Sequence, residues 1–479
     1  MQRKFITNLA LLLFLNLLVK PFWILGIDRE VQVVTGAEEF GLYYALFNFS
    51  FLLNALLDIG ITNFNNKNIA QNSHLLTKHF SNIVGLKFFL ALVYAVITFA
   101  AAFILGYRGA ELNMLIVLSF NQFLISFVLY LRSNISGLHL FKTDSLLSVL
   151  DRLIMIAISI ALLWGNIIEG QYKIEWFIYT QTAGYGITAL IAFFVVLKKA
   201  GTFKLTWNRK FFISILKQSW PFALLILLMM IYTKSDTIIM ERMLPDGAEQ
   251  TGIFAQAYRL LDAANMIGFL FAGLLLPLFA RMIKLKERIN ELVKLAISLI
   301  LAVAVISAFS SFFYRYEIMG LLYKGHIEES AQVFGVLMFS FIAISVVHIF
   351  GTLLTSNGNL KLLNRLAAFS VGLNILLNLL LIPEYKSLGA AIAGLSTNAV
   401  AAIMHILLAS LVFKFNVNYK LMAKILVFSI GVGAIAFGTT LLPFEWVYNF
   451  IIMIFCSCFW AFGARLLSIK SMYHIVKYG

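Results

Sequence analysis

Fourteen apolar runs, each close to 20 residues long, follow one another along the chain at about 8–26, 40–60, 83–106, 112–131, 143–165, 175–197, 218–240, 252–280, 295–314, 331–354, 362–382, 388–413, 421–441 and 446–464. A helix of that length rises about 30 Å, the thickness of the hydrocarbon core of a bilayer. Backbone polar groups at that depth can be satisfied only inside a helix or a closed barrel. The pattern therefore predicts an all-α polytopic membrane protein of about 14 transmembrane helices. Composition agrees, with 61% hydrophobic and 12% charged residues, where soluble domains carry about a quarter charged. The first run follows Gln2-Arg3-Lys4 as a signal peptide would. It contains Lys20-Pro21 and lacks an Ala-x-Ala site, so it is expected to be retained.

Charge placement supports the same map, because short cytoplasmic loops collect Lys and Arg. With the N-terminus inside, the inner segments hold 25 Lys/Arg and three Asp/Glu, and the outer ones seven Lys/Arg and 15 Asp/Glu. Both termini are expected to be cytoplasmic. The net charge of +15 is then spread over inner segments facing an anionic leaflet, and no nucleic-acid partner is expected. No loop exceeds about 20 residues, too short for a folded catalytic domain. No GxxxxGK[ST], HExxH or GxSxG occurs, so a transporter is expected rather than an enzyme, with no cofactor and no metal. Cys456 and Cys458 are two residues apart on the last run, where side chains point to different faces, and no disulfide is expected.

GAEEFGLYY at Gly36 to Tyr44 returns 211 positions later as GAEQTGIFA at Gly247 to Ala255, with four of nine residues identical. Each copy is the outer loop just before an even-numbered span, and six spans separate them. An even number preserves orientation, as in a parallel duplication of two six-helix lobes. The expected organisation is 1–205 as N-lobe (helices 1–6 and the start of a basic linker), 206–415 as C-lobe (helices 7–12), and 416–479 as helices 13–14 with a cytoplasmic tail. The glycines are expected to allow a tight turn and close backbone packing, with the Glu in water. The alternative is a helix-start signal that arose twice.

Nine charged residues remain at membrane depth, where each costs a few kcal/mol and is a site candidate. Asp58 and Lys87, near the inner ends of spans 2 and 3, are expected to snorkel to the interface. Lys20 lies roughly 9 Å from the outer end of span 1, and Lys234 and Asp236 lie at similar depth in span 7. Arg259 and Asp262, three residues apart, share a face of span 8. Lys20, Lys234 and Arg259 are thus expected to form a cationic substrate pocket. Asp236, Asp262, Asp151 and Arg152 are candidates for ion coupling or charge pairing, and Pro21 for a kink or hinge in span 1. The alternative for Arg259 and Asp262 is a self-satisfied structural pair. His348 and His405 are read as packed histidines.

The stretch NRLAAFSVGLNILLNLLLIPEYKSLGAAIAGLSTNAV, Asn364 to Val400, resembles the helix 11 to helix 12 segment of the multidrug/oligosaccharidyl-lipid/polysaccharide (MOP) flippase superfamily. GAEEFGLYYALFNFSFLLNALLDIGI (Gly36 to Ile61) and SDTIIMERMLPDGAEQTGIFAQAYRL (Ser235 to Leu260) resemble its polysaccharide-transporter branch. The resemblance implies a flippase that moves undecaprenyl-diphosphate-linked oligosaccharide from the cytoplasmic to the outer leaflet of the bacterial plasma membrane by alternating access, for O-antigen, capsule or exopolysaccharide assembly. Lys20, Lys234 and Arg259 would meet the diphosphate, and H+ or Na+ would be the coupling ion. Membrane lipids, a polysaccharide polymerase and chain-length proteins are the implied partners. A multidrug or organic-cation antiporter and a lipid II flippase are the alternatives within the superfamily.

Overall fold

The computed structural model describes residues 15–16, 18–62, 65–66, 69, 72–165, 170–201, 203, 209–415 and 418–467, and every regular element among them is helical. Residues 18–58 form a helical run of 41 residues, which as a straight rod would measure about 60 Å, twice the hydrocarbon thickness. It is not straight. A straight helix would hold Trp23 and Tyr43 about 30 Å apart, yet both ring centroids lie 5.5 Å from that of Phe177. The chain folds back at Gly36, whose φ of 83° and ψ of 170° belong to a region open essentially to glycine alone. α1 is therefore 18–35 and α2 is 37–52, continued by the short helix Ala55–Asp58. The outer loop expected between the runs at 8–26 and 40–60 shrinks to one residue, because the helix persists through Thr35. Directly after Pro21, α1 widens into π-helix at Trp23–Asp28, which is how its hydrogen-bond ladder absorbs the proline.

The chain continues as α3 (Leu75–Ile104), α4 (Ala110–Gly137), α5 (Phe141–Trp164), α6 (Ile174–Ala200), α7 (Arg209–Met243), α8 (Gly247–Lys284), α9 (Asn290–Phe313) and, after a short connecting helix at Arg315–Leu322, α10 (Ile327–Ser356). Leu360–Phe413 is a second folded run. An ideal Cβ on Gly389 would stand 2.3 Å from the Leu381 carbonyl oxygen, although eight residues of straight helix span about 12 Å. The reversal is at Lys386 (φ 50°), which separates α11 (360–385) from α12 (387–413). α13 (Tyr419–Thr440) and α14 (Trp446–Gly463) complete the described chain. Among the described residues twelve helical runs are long and apolar enough to span a membrane. With the two hairpins each counted twice, they become the fourteen spans expected.

By packing, the chain divides into two compact units, Met1–Gly252 and Ile253–Gly479. The repeat-based expectation placed the lobe division near residue 205, whereas α7 packs on α2 within the first unit. In the second unit α13 and α14 pack on α9 around Ala302, Val305, Phe428, Val432, Ala436 and Met453, so the last two spans share a core with the helices before them.

The repeated motif has a structural meaning within the first unit. An ideal Cβ on Gly41 would lie 1.8 Å from the Ala248 carbonyl oxygen, and one on Gly252 would lie 1.9 Å from that of Ala37. The sixth residue of each copy thus presses on the second residue of the other, the reciprocal pattern of a local two-fold axis. Small residues let helix backbones approach closely in a membrane, where apolar surface alone provides no drive for helices to associate. Gln32 Nε2 donates to the Gly252 carbonyl at 2.8 Å, and Asn48 Nδ2 to Thr237 Oγ1 at 3.2 Å, which adds polar ties to the crossing. Glu38 is exposed, as expected of the motif's acidic residue. Its neighbour Glu39 accepts from the Ile174 N–H at 2.7 Å and so satisfies a free donor at the start of α6.

Candidate functional site

α1, α4, α5 and α6 converge on a cluster of cations and aromatic rings inside the first unit. The Arg152 guanidinium on α5 lies 5.2 Å from the Trp23 ring centroid and 5.5 Å from that of Tyr185. Those ring faces hold it by cation–π attraction and leave the directions of its N–H fork restricted. Asp151 approaches Arg152 Nε at 4.0 Å. Lys20 on α1 is half-buried within electrostatic range of Arg152, Asp151 and Arg132. Arg132 on α4 is in turn paired with Asp144 at 2.8 Å. Three cations therefore face two carboxylates. The side chains of Arg152 and Asp151 keep 26% and 19% of their surface exposed.

An aromatic wall stands beside these charges. Trp23 stacks on Phe177 at 5.5 Å and 10°, Phe177 meets Tyr43 edge-on at 5.5 Å and 75°, and the Tyr43 hydroxyl accepts from Gln181 Nε2 at 2.8 Å. Neighbouring like charges repel unless an anion lies between them. An excess cation beside stacked rings is chemistry suited to an anionic group carried on a ring-bearing cargo.

The sequence placed Lys20, Asp151 and Arg152 among the candidates, and the structure brings these three together. Trp23, Phe177, Tyr43 and Tyr185 are not among the residues the sequence singles out. Trp23 could have been found from its place one helical turn after Lys20. Lys234 and Asp236 on α7 differ in surroundings, as their spacing implies. Asp236 is buried at 5% exposure and Lys234 is half-buried, with its carbonyl accepting from Thr237 Oγ1 at 3.1 Å. Arg259 and Asp262 are half-buried on the part of α8 that belongs to the second unit.

The snorkelling expected of Asp58 and Lys87 is corrected. Lys87 is only 1% exposed, and its ammonium turns inward to Asp58, the Leu57 carbonyl at 3.1 Å and Ser126 Oγ at 3.0 Å. Three acceptors inside the unit outcompete a distant interface for its three N–H donors. The histidines are packed, as expected. His405 hydrogen-bonds with the Ala401 carbonyl at 2.8 Å, and His348 meets the Phe269 ring edge-on at 4.8 Å. Both cysteines are free and exposed. Among the described residues no group of His, Cys, Asp and Glu could hold a metal ion.

The profile of the family described as "Polysaccharide biosynthesis protein" matches residues 31–283, just over half of the chain. No curated protein sequence matches it. Among solved structures, the lipid II flippase MurJ in an inward closed conformation is similar with a TM-score of 0.71 at 16% identity, over 99% of this chain and 100% of that one. An inward-facing multidrug resistance MATE transporter of the MOP superfamily follows at 0.62 and 16%, over 83% and 97%. A MOP superfamily transporter from Pyrococcus furiosus, described as having a binding pocket of reverse polarity, scores 0.60 at 18%, over 85% and 94%. At these identities the likeness establishes the fold. These structures are of transporters and flippases rather than enzymes. The chain belongs to the polysaccharide biosynthesis protein family and is a multi-pass membrane protein with the fold that MurJ and the MATE transporters of the MOP superfamily share.

Proposed function

We propose that the protein moves undecaprenyl-diphosphate-linked oligosaccharide repeat units from the cytoplasmic to the outer leaflet of the bacterial plasma membrane, for export of a surface polysaccharide such as O-antigen, capsule or exopolysaccharide. The observation that carries this reading is the cluster of Lys20 and Arg152 beside Trp23, Tyr185 and Phe177. A diphosphate entering a region of low dielectric needs fixed cations, and a guanidinium can hold it bidentately. Sugars stack on aromatic faces, and a polyprenyl tail stays in lipid while the head group crosses. Lys234 and Arg259 are proposed to extend the cationic path as the carrier alternates its access. Asp236, Asp262 and Asp151 are proposed to bind H+ or Na+ and couple return of the empty carrier.

The test is deletion of the gene in its native host, with an outer-side glycan label applied to intact and lysed cells. Lipid-linked oligosaccharide labelled only after lysis, restored by the wild-type gene but not by Lys20→Ala or Arg152→Ala, is the expected result. Unchanged surface glycan with greater retention of cationic dyes would move the protein to drug efflux. A second reading, a lipid II flippase, is favoured by one observation: the match to MurJ extends over α13 and α14, at 99% of this chain, whereas the multidrug transporter matches 83%. Accumulation of inner-leaflet lipid II with intact surface glycan would select it.

A further inference from the structure

We propose that the short helix Ala55–Asp58, which continues α2, forms a monovalent-cation site whose cation is the tethered ammonium of Lys87. Three oxygens of different kinds converge on one point: the Leu57 main-chain carbonyl at 3.1 Å, Ser126 Oγ at 3.0 Å and a carboxylate oxygen of Asp58. The face of the Tyr130 ring lies 6.0 Å away and adds a fourth, weakly negative side. A carbonyl, a hydroxyl and a carboxylate around one positive charge make up the ligand set of a hard cation such as sodium. The oxygens are held in place independently of Lys87. Thr62 donates its amide to both Asp58 oxygens at 3.3 Å, and Ser126 Oγ donates to the Leu57 carbonyl at 3.2 Å. That carbonyl is left available because the chain leaves the helix at Ile59 (φ 44°) and Gly60 (φ 76°).

The arrangement differs from an ordinary ion pair in one respect. An ion pair needs only the carboxylate, whereas here every N–H of the ammonium has its own oxygen. Lys87 is 1% exposed, so no bulk water shares the work. With its own side chain in the cation position, the first unit needs no dissolved ion at this place. Removing the side chain at Cβ would leave the oxygens facing an opening that a dissolved cation can fill.

The experiment compares thermal unfolding of the purified full chain in sodium chloride and in N-methyl-glucamine chloride at equal concentration, for wild type, Lys87→Ala and Lys87→Ala/Asp58→Asn. The Lys87→Ala chain is expected to gain unfolding temperature in sodium, by about 3 °C at a sodium concentration ten times its dissociation constant. Wild type, with the position filled, and the double variant, with the carboxylate gone, should gain less. An equal response of all three chains, or none in Lys87→Ala, would overturn the proposal and leave a plain structural ion pair. Loss of the Lys87→Ala chain even in sodium would overturn it too, because a dissolved cation would then have failed to replace the ammonium.

Discussion

Gly41→Ala inserts a methyl where the structure has no room. The new Cβ would lie 1.8 Å from the Ala248 carbonyl oxygen and 2.6 Å from the Gly252 nitrogen. A carbon and a carbonyl oxygen come no closer than about 3.3 Å even in a favourable contact, so the two backbones must separate by roughly 1.5 Å. Neither obstructing atom is the end of a flexible side chain. Overpacking costs about 1–3 kcal/mol, and a rigid backbone neighbour places this case near the upper figure. For a cooperative unit of this size, about 3 kcal/mol lowers the unfolding temperature by roughly 6 °C. Gly252→Ala, obstructed at 1.9 Å by Ala37, should fall by a similar amount. Because the first methyl already forces the helices apart, the double variant should lose distinctly less than the sum. Gly186→Ala is the control, with no atom within 4 Å of its ideal Cβ on the same unit's α6, and it should be neutral or stabilising by about 0.5–1 kcal/mol. The assay is intrinsic-fluorescence melting of the purified protein in detergent. Melting of Gly41→Ala and Gly252→Ala together with the control, or strict additivity in the double variant, would refute the reciprocal crossing.

Other perturbations separate the roles of charged and polar groups. Lys20→Ala and Arg152→Ala should each abolish delivery of glycan to the surface with unfolding temperatures close to wild type, read by outer-side labelling, while Lys20→Arg retains part of it. Burial pushes the Tyr107 phenol above its ordinary value near 10, with the Glu241 carboxylate adding to the effect. The folded state then keeps a proton that the unfolded chain releases, so this contribution to stability is present below about pH 10 and declines as pH rises beyond it. Tyr107→Phe should flatten the fall in melting temperature between about pH 9.5 and 11 and cost about 1–2 kcal/mol at neutral pH, through loss of the 3.0 Å bond to Glu241. Cys456 and Cys458, free and exposed on α14, should both react with a membrane-permeant maleimide, and mild oxidation should leave the chain without a disulfide between them, as read by intact mass.

The number and order of the helices were legible in the chain itself, because a bilayer imposes one length on every crossing and the apolar runs of this protein keep to it. The repeat was legible as a phrase, GAExxG, that returns with six spans between its two copies. Its purpose was not. Gly36 makes a turn with no loop, and Gly41 and Gly252 make room for each other, which no local rule reveals, since the partner is more than 200 residues away. The charged sites divide similarly. Depth along a helix follows from counting residues, and that count identified Lys20, Asp58, Lys87, Asp151 and Arg152 as membrane-embedded. Rotation about each helix axis is decided by packing against neighbours. Only the folded unit could therefore bring Arg152 over the Trp23 ring within electrostatic range of Lys20, and turn Lys87 away from the interface into the oxygens of Leu57, Asp58 and Ser126.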